Sequence, residues 1–154
     1  MERAIKFTKR NLLAILLGFL VVAGIGIITT FVSVFFFRSV FLQQPPTFIW
    51  LLKTVSYLSL LAGGFVVGWI VREKGWVYGG LLGMALVLVN TGLAILFLLL
   101  PISVVYGPDF PPDYGKGIAQ KQINNAFLNA PKTILLTSLG GFLGAYLYKR
   151  KRRD

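Results

Sequence analysis

With 154 residues, 56% of them hydrophobic and only 14% charged, the chain has too little polar surface to cover a water-soluble globule. Its net charge of +11 lies beside long apolar runs, which assigns the basic residues to membrane topology and anionic lipid headgroups rather than to nucleic acid. The absence of Cys and His excludes disulfides, thiolate nucleophiles, imidazole bases and the common zinc sites.

The first apolar run covers residues 12–37 and follows Arg3, Lys6, Lys9 and Arg10. A signal peptide also starts with a basic stretch, but its apolar part is about 7–15 residues long and ends at small residues. This run is longer and closes on Phe35, Phe36, Phe37 and Arg38, so it reads as a retained membrane helix. Gln43-Gln44-Pro45-Pro46 interrupts it, because two prolines cannot continue a helix. The second run, 48–71, contains Lys53 near its start, and Arg72-Glu73-Lys74-Gly75 makes a tight charged turn. The third run, 76–100, stops at Pro101. The fourth, 131–148, opens on Pro131, which suits a first helical turn, and ends at the basic cluster 149–153. Backbone groups in hydrocarbon must be satisfied internally, and the alternating polarity of a β-barrel is missing. The expectation is an all-α polytopic membrane protein: one domain, 1–154, of four transmembrane helices, with an outer segment over 101–130.

Lys and Arg counts set the orientation. Arg3, Lys6, Lys9, Arg10, Arg72, Lys74 and the cluster 149–153 lie on one side. Arg38, Lys53, Lys116, Lys121 and Lys132 lie on the other. The richer side, with both termini, is expected in the cytoplasm of a multi-pass cell-membrane protein. Trp69, Trp76, Tyr78, Tyr146 and Tyr148 fall near that interface; Trp50, Tyr57 and Tyr106 fall near the opposite one. In the outer segment, residues 106–115 carry Pro and Gly punctuation and read as a turn. Ile118, Ala119, Ile123, Ala126, Phe127 and Ala130 recur at helical spacing, which predicts a short amphipathic helix in the outer interface or capping the bundle.

The chain echoes itself. Residues 63–74 align with 140–151 at Gly63/Gly140, Gly64/Gly141, Phe65/Phe142 and Lys74/Lys151. Two helices per unit would make this a parallel two-helix internal repeat, its axis along the membrane normal. Gly64 and Gly68, then Gly75, Gly79 and Gly83, then Gly140, Gly141 and Gly144 form small-residue stripes. Such stripes let helices approach closely, either inside the bundle or, with a stripe turned outward, in an oligomer. The stretch 61–83, with its Gly-Gly pair and basic turn into Lys74-Gly75-Trp76, and Ser138–Gly144 with its second Gly-Gly, resemble a family of small bacterial four-helix membrane proteins. The resemblance implies four helices and carries no assigned activity; the long outer segment departs from the family's pattern.

No Asp or Glu lies in an apolar run, which argues against an ion-coupled carrier working through a buried carboxylate. Lys53 is accounted for by snorkelling to headgroups. Asn90 and Thr91 fall mid-helix, where they either bond to Thr29, Thr30, Ser56, Ser59, Thr137 or Ser138 or line a polar path. Asp109 and Asp113 are the outer carboxylates, with no nucleophile pattern nearby. No catalytic, metal or cofactor site is expected. The favoured reading is a non-catalytic membrane scaffold or accessory subunit that packs through glycine-rich faces against itself or a larger membrane complex; the alternative is a small oligomeric transporter or channel.

Overall fold

The computed structural model describes residues 9–37, 45–99 and 114–151, excepting the side chains of 97–99, 114–116, 118 and 119. Four helices account for nearly all of them: α1 (Lys9–Phe36), α2 (Pro46–Val71), α3 (Gly75–Leu99) and α4 (Tyr114–Lys151). Three of these are long and apolar enough to cross a membrane: Lys9–Phe36, Pro46–Val71 and Gly75–Leu96.

Local chemistry explains the breaks. Pro45 stays extended, and its carbonyl accepts from the N–H groups of Phe48 (3.0 Å) and Ile49 (3.1 Å), so α2 starts with Pro46 in its first turn. At the other end, the Arg72 N–H closes the helix on Gly68 O at 2.9 Å. The Glu73 N–H then donates to Val71 O at 2.8 Å across a three-residue turn, in which Arg72 takes φ 67 and ψ −41. Lys74, at φ 51, starts α3 by accepting from Val77 and Tyr78.

Contacts fix the directions. Gly18 of α1 abuts Gly63 and Val67 of α2, while Gly64 and Gly68 of α2 meet Thr137 and Gly141 of α4. Gly75, Gly79 and Gly83 of α3 meet α4 in the reverse order, from Ala145 back to Ile134. Hence α1 and α3 run one way, and α2 and α4 the other. Lys9, Arg10, Arg72, Lys74, Lys149, Arg150 and Lys151 gather at one end, called the basic end below.

The fourth helix differs from its expected bounds. The short helix expected over 118–130 is present but is not a separate element: residues 114–130 are helical and run through Pro131 without a break into the stretch expected as a span. Proline removes the N–H that would bond Phe127 O, which the sequence presents as a helix start. Packing on both sides of it overrides that signal, because Ala126 before and Thr137 after Pro131 are both buried in the bundle. The inner part of α4 is also less apolar than the three spanning helices. It lies in the groove between α2 and α3, where Gly140, Gly141 and Gly144 meet backbone rather than lipid. α1 is the converse. It packs on α2 and, at its start, on α3, with only 11% of its apolar window buried. Its apolarity runs all round the helix, as lipid on most sides requires.

Candidate functional site

The glycines singled out by spacing converge on one seam. Gly64 faces the backbone of Thr137, Gly68 that of Gly141, Gly140 that of Leu61 and Phe65, and Gly144 that of Phe65 and Trp69. Across the groove, Gly75 meets Gly141 and Ala145, Gly79 meets Thr137 and Gly141, and Gly83 meets Ile134 and the Thr137 hydroxyl. Gly141 returns the contact to Gly75. The two echoed segments therefore lie parallel and directly against one another. All eight glycines face within the chain, so none of them is left to form an outward oligomer stripe. Gly24, Gly26 and Gly92 are the glycines of the spanning helices with open space at the Cβ position.

Two polar clusters secure the basic end. Asn11 Nδ2 donates to Tyr78 Oη at 2.7 Å, with both side chains buried, tying α1 to α3. Phe65 stacks on Trp69 (5.8 Å between centroids) and Tyr148 meets Trp69 edge-on (5.7 Å). The Arg72 guanidinium carbon stands 4.4 Å from the Tyr148 ring centroid. A non-glycine residue in so sparsely populated a turn stores about 1–3 kcal/mol of strain. The cation–π contact returns about 0.5–1 kcal/mol at an exposed site.

The mid-helix polar residues separate in the structure. Thr29, Thr30, Ser59 and Thr137, expected as interhelical partners for Asn90, turn back to carbonyls of their own helices at 2.7–3.1 Å. Thr91 Oγ1 is buried with no partner among the described residues. Asn90 lines a cleft of about 360 Å³ between α2, α3 and α4. Its polar lining comprises Ser56, Asn90, Asn125, Asn129 and Thr133; Leu60, Leu86, Val87, Ala126 and Val22 of α1 complete it. Asn125 and Asn129 were not singled out in the sequence. Their i, i+4 spacing, with Thr133 one turn further on, marks a polar stripe once 114–151 is taken as one helix. At about 1.5 Å per residue from Gly75, Asn90 lies roughly 22 Å from the basic end. A hydrocarbon core is about 30 Å thick, so the cleft falls in the leaflet opposite that end.

A second, apolar cleft of about 520 Å³ opens between the far ends of α1 and α2, among Ile28, Val32, Phe48 and Leu51. Among the described residues no group of three or more His, Cys, Asp or Glu could hold a metal ion. Asp109 and Asp113 lie outside the described residues.

A family model described as a protein of unknown function (DUF3792) matches residues 11–110. An uncharacterized membrane protein, YrzE, of Bacillus subtilis (strain 168) is 28% identical over 88 residues, 57% of this chain. The chain spans 58% of that relative's length. No solved structure matches the chain.

Proposed function

The chain belongs to the DUF3792 family of proteins of unknown function, and we propose that it serves as a non-catalytic scaffold or accessory subunit in the membrane. The observation that carries this reading is the contrast between α1 and the other helices. The glycine seam joins α2, α3 and α4 backbone to backbone and uses up their close-packing surfaces. α1 packs on α2 and, at its start, on α3, and presents Leu13, Leu16, Leu20, Ile27 and Phe31 outward, with open space at Gly24 and Gly26. A three-helix body joined backbone to backbone, with α1 the least covered of the spanning helices, suits attachment to another membrane protein. The basic cluster orients it with that end in the cytoplasm, where it adds attraction to anionic headgroups.

The test is photo-crosslinking in native membranes from positions 20 and 27 of α1, followed by purification of the full chain in mild detergent. One larger membrane protein, or a second copy of the chain, recovered in constant ratio supports the reading. Cross-links to lipid alone, with a monomer in detergent, refute it.

The transporter reading draws on the cleft at Asn90. A path through one copy would have to pass the level where Gly83 abuts the Ile134 backbone and the Thr137 hydroxyl, which closes the inner end. Transport therefore needs a path between copies. A solute leak in liposomes that changes with Asn90→Leu would favour it.

A further inference from the structure

We propose that the cleft between α2, α3 and α4 binds an uncharged, hydroxyl-rich group such as a sugar, carried either by a lipid or by a free glycoside. The cleft brings together Ser56 and Leu60 of α2, Leu86 and Asn90 of α3, and Asn125, Ala126 and Asn129 of α4, so that α2 and α3 each present a polar and an apolar residue one turn apart. The Asn129 amide is committed to Asn125 O at 2.8 Å. Ser56, Asn90 and Asn125 are exposed, and their carboxamides and hydroxyl make no hydrogen bond among the described residues, which leaves them open to an occupant. A carboxamide offers a donor and an acceptor side by side, which matches the paired donor and acceptor character of neighbouring hydroxyls. Leu60 and Leu86, one turn from the polar groups, suit the C–H face of a sugar ring.

Charge and position narrow the occupant. No charged side chain lines the cleft, so an ionised group entering it loses hydration without gaining a counter-charge. Its volume of about 360 Å³ lies within the roughly 300–1,000 Å³ range of small-molecule sites. The inner end is shut where Gly83 meets the Ile134 backbone. The occupant therefore arrives from the leaflet opposite the basic end or from the water beyond it. Asn90 lies only about 8 Å inside a hydrocarbon boundary 30 Å from the basic end, within reach of a lipid headgroup.

The test places the full chain in phosphatidylcholine nanodiscs doped with monoglucosyl diacylglycerol or, separately, with plain diacylglycerol. Native mass spectrometry then counts retained lipid. The glucosyl lipid is expected to be retained about tenfold more than diacylglycerol, the effect of one or two hydrogen bonds. Retention should fall about tenfold in the Asn90→Leu/Asn125→Leu double variant, which removes the polar groups, and in Ala126→Leu, which fills the cleft. Methyl β-D-glucopyranoside supplies the soluble arm: displacement of the lipid identifies free sugar as an occupant, and no displacement identifies the lipid. Equal retention of the two lipids by the unmodified chain overturns the proposal. Undiminished retention in both variants, with helical content unchanged, overturns it equally.

Discussion

Replacing Gly68 with Ala tests whether backbone contact along the glycine seam holds the bundle together. The added Cβ would fall against the Gly141 carbonyl oxygen and stand 2.7 Å from its carbon and 2.9 Å from Gly141 Cα. These are main-chain atoms of a helix and cannot rotate away. Ordinary contact begins near 3.4 Å, so clearing Cα alone requires α2 and α4 to part by roughly 0.5 Å. A gap of that size forfeits about a quarter of the dispersion attraction of each atom pair it opens. The opening extends to the neighbouring contacts of Gly64, Gly140 and Gly144 on the same interface. Overpacking of this kind costs about 1–3 kcal/mol, or five- to 150-fold in the folded-to-unfolded ratio. The control is Gly92→Ala, where a Cβ meets nothing within 4 Å and stability should stay within about 0.5 kcal/mol. Reversible unfolding in mixed micelles, followed by tryptophan fluorescence, measures both. If the two variants unfold alike, backbone proximity at the seam is not what stabilises the fold.

Three further outcomes follow from the basic end. Tyr78→Phe removes the acceptor of the Asn11 amide and should loosen the start of α1, at about 1–2 kcal/mol; faster hydrogen exchange in the first turns of α1, with α2 unaffected, is the readout. Lys74→Gly relieves a positive φ of 51 and should be neutral or stabilising by up to about 1 kcal/mol in the same unfolding assay, whereas Lys74→Val should destabilise. A reporter fused after Asp154, and another before Met1, should both be active only in the cytoplasm, since the basic residues at the starts of α1 and α3 and the ends of α2 and α4 share one end. Opposite compartments for the two reporters would refute the expectation of four crossings.

The local sequence is a good guide where one physical rule acts alone. The three longest apolar runs appear as α1, α2 and α3, within three residues at either end, because lipid admits little but an uninterrupted helix there. The turn at 72–75 was equally legible, since charge and glycine interrupt the apolar run. Pro131 was the misleading signal. Taken alone it marks a helix start, yet the helix expected before it continues through it, with Ala126 and Thr137 buried on either side. The cleft was half legible: Asn90 stood out at mid-helix, but Asn125 and Asn129 belong with it only once α4 is continuous.

Composition, apolar run length and the placement of Lys and Arg determine by themselves that this is a helical membrane protein, because they govern transfer of each segment between water and lipid and need no partner. The tertiary structure alone decides which glycine meets which backbone, that α4 fills the groove between α2 and α3, and that α1 remains largely uncovered. Lipid and protein are equally apolar neighbours for a leucine, so pairing rests on shape at sub-ångström range, which a linear sequence encodes only through the whole set of contacts.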